Sequence, residues 1–557
     1  MAEVAVTNMK RSGRVALLTA CAVIALTGCV GPNFAPPVPV TATAANFLDT
    51  GKAAASPVPV LTGGSGAPTE VQWWHTFRDA ELSRLEARVA DQNLDVKTAT
   101  LRLAESRAQR AQTAAAELPT VSGNASDYRE QFSKNGLFAL IPLNGINTSQ
   151  IPQQYQGTLG GVQQGVNHIT NGFNVYSVGF DASWELDLWG HVARQVEAAD
   201  AQLLANAEMR RDVLVSSLAE VARDYVNLRG TQAQLRIAQD NIKVEQEILD
   251  VTRTRMDKGL VTGLDVESAA AQVESVKAQV PTLQTQLVQG INAISLLLDE
   301  PPLGLSSELI TPRAIPPSPP RVPVGLPSEL ARRRPDIRMA EAQLHAATAN
   351  IGVAIAEFYP SVRLNGSPTL QAIEPRNIFK GSSLQYMNVG PSVTLPIFEG
   401  GRLKANLVMQ EKSQQEAAVA YHKAVLSAWH DVVNTLTAYK TEQVRREHLR
   451  AQVEHAKQAL VLARSRYEQG VADITTLLSD AQSVLSAEQQ LAQSQTNVSI
   501  DLIALFKALG GGWEETYPDP RAIAPTVLTA SAAPVPSLVA APGLPAVALP
   551  AILPDAH

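Results

Sequence analysis

From Tyr176 to Leu188 apolar and polar residues take turns: Tyr176, Val178, Phe180, Ala182, Trp184, Leu186 and Leu188 alternate with Ser177, Gly179, Asp181, Ser183, Glu185 and Asp187. A period of two puts each set on its own face of a β-strand. The same alternation returns later in the chain, where Met387, Val389, Pro391, Val393, Leu395 and Ile397 are interleaved with Asn388, Gly390, Ser392, Thr394 and Pro396. Two weaker strands are expected after paired prolines, one with Val121 and Ala125, the other with Val362 and Leu364. The pattern therefore predicts four strands, in pairs over about 120–188 and 361–397.

A helical period dominates the rest. From Gly190 to about Lys258 there is no proline, and one continuous helix of that length would reach roughly 100 Å; a helix pair broken near Arg229-Gly230 is the alternative. Leu235, Ile242, Leu249 and Met256 recur every seven residues, and Ile237, Val244, Ile248 and Val251 form a second stripe. Two stripes suit a helix with neighbours on both sides, as in a closed wall. Further helices are expected over about 80–117, 264–298, 327–357, 401–468 and 474–509. Gly259 and Gly470 supply the positive φ of a tight helical reversal and mark the tips of two hairpins.

These elements form two copies of one unit. Arg253-Thr-Arg-Met-Asp-Lys-Gly259 recurs as Arg464-Ser-Arg-Tyr-Glu-Gln-Gly470, and Val178-Gly179 as Val389-Gly390, both displaced by 211 residues. Upstream the displacement is 241, with Pro119-Thr-Val121 matching Pro360-Ser-Val362. The first copy thus carries about thirty extra residues between Val121 and Val178, glycine-rich and polar, which read as a longer loop. The expected organisation is an export signal over 1–28, a Pro/Ala-rich tether over 29–69, a first repeat over 70–300, a Pro-rich linker over 301–326, a second repeat over 327–510, and an Ala/Pro-rich disordered tail over 511–557.

The ends and the composition decide where such a chain works. Lys10, Arg11 and Arg14 precede an apolar run from Val15 to Leu26, too short to span a bilayer. Leu26-Thr-Gly-Cys29 follows and resembles the lipobox of bacterial lipoproteins, which implies cleavage before Cys29 and an N-acyl and S-diacylglycerol lipid on that residue. Val30 stands where an inner-membrane retention signal would place Asp, so the resemblance implies the outer membrane. Cys21 lies within the signal, leaving Cys29 alone in the mature chain and no internal disulfide. The net charge of −7 and the lack of a Lys/Arg-rich run argue against nucleic acid as a partner.

Four strands cannot close a membrane barrel, whose smallest examples have about eight, so several chains must share one. Two would make a narrow barrel plugged by side chains and three a twelve-stranded barrel around a wider lumen. A conduit favours three. Hairpins on a soluble sheet are the bland alternative, disfavoured by the anchor and the absence of another sheet to join.

Catalysis finds little support. No His-Glu-x-x-His arrangement occurs among the nine histidines, and Gly-x-x-x-x-Gly-Lys-Ser/Thr is absent. His448 and His455, seven apart, read as a surface coincidence. No metal site, catalytic residue or cofactor other than the lipid is expected.

The lipobox, the duplication, Trp184-Glu-Leu-Asp-Leu-Trp-Gly190, Pro396-Ile-Phe-Glu-Gly-Gly-Arg402 and the turn ending at Gly470 together resemble the outer membrane factor family of TolC-like efflux ducts, nearest its NodT-type lipoprotein branch, over about residues 70–510. The resemblance implies a fold that is mainly α with a membrane β-barrel: a homotrimer with a twelve-stranded barrel in the outer membrane and a helical α-barrel in the periplasm. It implies a duct for small molecules that opens at its periplasmic end when an adaptor (membrane fusion protein) and an inner-membrane RND-type transporter dock. The family's acidic gate position, six residues past the first turn glycine, carries over as Asp265, and its tyrosine before the second turn as Tyr467. The arginine that some members place after the second turn is Ala472, and the acidic residue of the usual Leu-Asp-Ala-Gln run is Ser479. Asp473 and Asp480 are then the candidates for negative charge at the constriction, though each also reads as a solvated residue near a helix start. A lipid-anchored coiled-coil spacer or adhesin without a pore is the competing reading.

Overall fold

In a computed structural model the described residues are 29–38, 72–131, 133, 152–153, 172–319 and 333–518. The signal, most of the tether, most of the first-copy insert, the end of the linker with the start of the following helix, and the tail beyond 518 lie outside them.

Strands β1 (Thr120–Glu130), β2 (Phe173–Leu186), β3 (Ser361–Ala372) and β4 (Leu384–Thr394) form one antiparallel sheet in the order β1-β2-β3-β4. The duplication extends to the pairing itself. Thr120 faces Ser183 and Asn124 faces Gly179; in the second hairpin their counterparts Ser361 and Asn365 face Thr394 and Gly390. A one-residue register shift between Asn365 and Ser367 then offsets the far half of β4.

The helices are α1 (Ala80–Gln92), α2 (Leu94–Ala114), α3 (His191–Asp257), α4 (Gly263–Lys277), α5 (Gln279–Leu297), α6 (Pro335–Ala356), α7 (Arg402–Glu468) and α8 (Ile474–Leu509), besides single turns. α3 and α7 are unbroken, 67 residues each. Between them α6 and α8 lie end to end, each packing on both long helices, and meet where Leu505, Ala508 and Leu509 of α8 join Ile337 and Ala340 of α6 against Val425 and Val432 of α7. A second composite column, α1–α2 with α4–α5, packs on α3.

The joints of that column have local causes. The expected helix over 80–117 is interrupted at Asn93, which leaves helical geometry to cap α2: its side chain accepts from Asp95 N and Val96 N at 2.9 and 3.0 Å while its Nδ2 donates to the Leu297 carbonyl at 2.9 Å. The expected helix over 264–298 is interrupted at Ala278; Pro281 has no N–H for the Lys277 carbonyl one turn back. Arg229-Gly230 makes no break. Arg229 is fully buried and donates to the Thr311 and Leu309 carbonyls and to Gln232 at 2.9, 3.3 and 2.8 Å, fastening the linker to α3. A Cβ on Gly230 would stand 2.4 Å from Thr496 Oγ1, so the glycine is there to let α8 approach.

The main core sits at mid-height, where Trp73, Phe77, Leu82, Leu85, Tyr225, Leu228, Ile291, Phe506 and Trp513 converge. Residues 511–518, expected in a disordered tail, belong to it. Trp513 is 3% exposed, donates to the Gly510 carbonyl at 2.9 Å, and lies beneath the Arg211 guanidinium at 4.6 Å; Arg211 in turn donates to the Tyr517 and Pro518 carbonyls. The described part of the linker also packs on the helices, Ser499 donating to the Pro316 carbonyl at 3.0 Å.

Candidate functional site

The sheet separates its residues as the alternation predicts. Val121, Phe180, Trp184, Leu364 and Val393 lie on one face and are 67, 62, 37, 37 and 65% exposed, an apolar surface left open by the described residues of the single chain. On the other face polar side chains bond from strand to strand. Asn124 Nδ2 donates to Asp181 at 2.8 Å, Ser126 meets Ser177 at 2.6 Å, Ser183 donates to Asn365 Oδ1 at 3.0 Å, Asn365 Nδ2 donates to Ser392 at 2.9 Å, and Arg363 pairs with Glu185 at 3.0 Å. Among the described residues the outer edges of β1 and β4 have no strand beside them. Apolar outside, hydrogen-bonded inside and open at both edges is the anatomy of a barrel segment.

Where strands meet helices, the Trp184-to-Gly190 motif does the joining. Trp184 Nε1 donates to the Glu117 carbonyl and Trp189 Nε1 to the Pro360 carbonyl, at 2.9 and 2.8 Å. Asp187 accepts from Ala193 N at 2.7 Å in the first turn of α3, and Gly190, with φ 80°, starts that helix. Cys29, which is exposed, lies directly against Gly190, where a Cβ would come within 2.7 Å of its Sγ. The residues after it, expected within a tether, are strapped down as far as Phe34, while Val38 is exposed. Val30 N donates to the Trp189 carbonyl at 3.1 Å; Arg194 donates to Val30 O, Gly31 O and Asn33 Oδ1 at 3.2, 3.4 and 2.7 Å. Phe34 stacks on His345 at 4.4 Å. His345 and Arg194 both bond Glu197, at 2.9 and 2.6 Å; burial pushes the Glu197 carboxyl up, but those two bonds outweigh it and hold the group below the usual carboxylate range.

At the opposite end the hairpins turn at Gly259 and Gly470, with φ 72° and 79°. Both use the same reversal: the glycine N–H bonds three residues back and the next N–H five back, to Arg255 O in one copy and Arg466 O in the other. Tyr467 is 2% exposed; its hydroxyl lies 3.3 Å from Thr252 Oγ1, and Arg255 covers its ring at 4.6 Å. Arg255 also donates to the Tyr467 and Glu468 carbonyls, tying the tip of α3 to that of α7. Asp265 is not drawn to Tyr467: it closes a capping box, accepting from Thr262 N at 2.8 Å and Thr262 Oγ1 at 3.0 Å. Asp473 is the N-cap of α8 and accepts from Thr475. Asp480 lies half-buried one turn and a half into that helix.

The residue that sequence reasoning missed is Arg255. Its signal was present, since Arg255 is the counterpart of Arg466 in the duplicated turn. The two copies diverge in surroundings, however, Arg466 being exposed, and one sequence cannot show which arginine turns inward.

Higher in the same bundle Glu245 is 2% exposed between helices. Burial pushes its carboxyl up to about 7, and a bond from Gln272 of α4 offsets this only in part. Among the described residues no group of His, Cys, Asp and Glu could hold a metal ion, and no helix is long and apolar enough to cross a membrane.

Comparison with known proteins agrees with this geometry. A family model described as outer membrane efflux protein matches residues 87–299 and 326–511, the two repeats. The outer membrane protein OprJ of Pseudomonas aeruginosa is 30% identical over 491 residues, which cover 86% of this chain and 95% of OprJ. The probable outer membrane lipoprotein SilC of Salmonella typhimurium is 29% identical over 502 residues, 90% of this chain and 99% of SilC. Among solved structures, the outer-membrane channel OprN superposes with a TM-score of 0.74 at 30% identity, covering 87% of this chain and all of that one. Two repeats, a sheet with an apolar outer face, and helices long enough for a tunnel wall coincide with that likeness along nearly the whole chain, and the protein belongs to the outer membrane efflux protein family.

Proposed function

We propose that this chain is one of three identical subunits of a passive exit duct for small molecules, with a shared twelve-stranded barrel in the outer membrane and a helical tunnel in the periplasm. The observation that carries this is the four-stranded sheet whose two edges are unpaired and whose apolar face is bare among the described residues. In lipid every strand edge needs a partner, and three copies supply twelve strands with a lumen lined by Asn124, Asp181, Asn365 and their neighbours. α7 supports the same reading. Its packing is to α6 and α8 and, at the tip, to α3, while Val419, Val461 and Leu462 stay 65–68% exposed, available to a neighbouring subunit.

Cys29 carries the lipid, and the hairpin tips form the gate that a periplasmic adaptor and an inner-membrane RND-type transporter open. Tyr467, held by Arg255 and Thr252, fixes α7 at the tip, and Asp265, Asp473 and Asp480 supply the negative charge there. Selection of cargo falls to the transporter, since a wall of amides and hydroxyls discriminates little. The test is conductance of the purified, detergent-solubilised protein in planar bilayers: a duct gives discrete channel events that become larger or more frequent in a Tyr467→Ala, Asp265→Ala double variant. A correctly assembled protein without any conductance would leave only the spacer or adhesin.

A further inference from the structure

The duplication of pairing, and not only of sequence, defines how one subunit's β4 meets the next subunit's β1. Each hairpin reproduces the other when β1 positions are advanced by 241 and β2 positions by 211: Thr120 with Ser183 becomes Ser361 with Thr394, and Asn124 with Gly179 becomes Asn365 with Gly390. The seam between hairpins within the chain is β2 with β3, where Ser183 faces Asn365 and Leu186 faces Val362. A closed ring of such hairpins needs the same seam between chains, with β4 in the place of β2 and β1 in the place of β3.

We propose that in the assembled barrel the partner subunit's Thr394 faces Asn124 and the partner subunit's Ile397 faces Val121, the hydroxyl of Thr394 donating to Asn124 Oδ1. This rests on the shared-barrel reading above but holds for any number of subunits. Three observations converge on it. First, the register keeps faces consistent: Val393 falls opposite Ala125, Leu395 opposite Gly123 and Ile397 opposite Val121, all on the apolar side, while Thr394 and Asn124 share the polar side.

Second, the polar ladder within the chain is incomplete at the same place. Asn365 accepts from Ser183 on one flank and donates to Ser392 on the other. Its counterpart Asn124 donates to Asp181, the counterpart of Ser392, and the missing flank is the position of Ser183, which the duplication assigns to Thr394. Third, β2 runs to Leu186 because β3 pairs with it there, whereas β4 ends at Thr394, three residues short of the equivalent Ile397. Ile397 and the adjacent Phe398 are 91 and 89% exposed. Residues 395–397 become strand when the neighbour arrives. The seams are not fully equivalent, because the Glu185–Arg363 ion pair has Pro396 and Ser122 as its counterparts.

Directly opposed residues on one face place their Cβ atoms about 4.5–5.5 Å apart, within reach of a disulfide after small adjustments. In full-length protein in outer membranes, oxidation of Asn124→Cys, Thr394→Cys is expected to convert most of the chain to covalent dimers and trimers. Pairs displaced by two residues, Ser122→Cys or Ser126→Cys with Thr394→Cys, should give less than a tenth as much. Ser183→Cys, Asn365→Cys, which closes within one chain, controls for oxidation. Val121→Cys, Ile397→Cys reads the same register from the apolar face should the first pair fold poorly. Intermolecular bonding by a displaced pair would overturn the register while leaving the shared barrel standing. Loss of bonding in both aligned pairs while the control oxidises would overturn the seam itself, and native mass spectrometry of the unaltered protein then shows whether a trimer exists at all.

Discussion

At the scale of single residues the tip is held by a cation that reaches between repeats. Arg255 gives hydrogen bonds to two carbonyls at the C-terminal end of α7 and lies on the Tyr467 ring, where a positive charge also meets the helix dipole favourably. Hydrogen bonds from a charged group contribute about 1.5–3 kcal/mol, so Arg255→Ala should loosen the tips by roughly that amount. The expected outcome is higher conductance and greater susceptibility to antibiotics too large for ordinary porins, with a larger effect than Asp265→Ala. The latter loses a cap worth about 1 kcal/mol within its own helix. Equal effects of the two would show that Arg255 does not hold the proposed gate.

Glu245 makes a prediction of the opposite kind. Its carboxyl titrates near 7 in the folded chain, against about 4.3 when unfolded. Between those values the folded state binds the extra proton, so stability falls as pH rises through that interval, by on the order of 3 kcal/mol in total. Glu245→Gln should flatten the dependence of thermal unfolding on pH between 5 and 8 and raise the melting temperature at pH 8. A dependence as steep as in the unaltered protein would assign the titration to another group. The charge of Glu245 was visible in the sequence; its burial was not, because a lone glutamate in a two-striped helix reads equally well as a wet face.

At the scale of elements, alternation and duplication made the strands and long helices legible, since both are local periodicities with a second copy to check them. The joints were not. Asn93 and Pro281 interrupt helices for reasons that depend on a carbonyl from elsewhere or a single missing N–H, and neither changes the apolar period around it. Gly230 offered a helix break as the alternative to one continuous helix, and it proves to be a contact in space. Gly230→Ala would drive a methyl group into Thr496, an overpacking that costs about 1–3 kcal/mol and should lower the melting temperature of the protein. Adding Thr496→Ala should recover part of the loss. If Gly230→Ala melts like the original protein, α3 and α8 are not as closely apposed as described.

For the whole molecule the anchor and the barrel are one assembly problem. The lipobox was read from four residues, but the strap that follows could not be, since Val30 to Phe34 offer no periodicity and owe their order to Arg194 and His345, more than a hundred residues away. If Cys29 is lipidated as proposed, Arg194→Ala should leave fatty-acid incorporation there intact while lowering the heat resistance of the assembled barrel, and Cys29→Ala should abolish incorporation. Unchanged heat resistance in Arg194→Ala would make the strap incidental.

Because the strap is short and Cys29 is pinned beside Gly190, acyl chains on that cysteine would enter the bilayer at one fixed level, just below the first lipid-facing residues of β1 and the last of β2. The fourteen residues of β2, at about 3.3 Å each and inclined by some 40°, climb roughly 35 Å from there, more than the apolar band of about 25 Å that such walls present. On the lipidation proposed above, the fatty tails would work as a plumb line. They would set how deep the rim sits, and so at what distance below the membrane the far mouth of the tunnel waits for whatever must reach it.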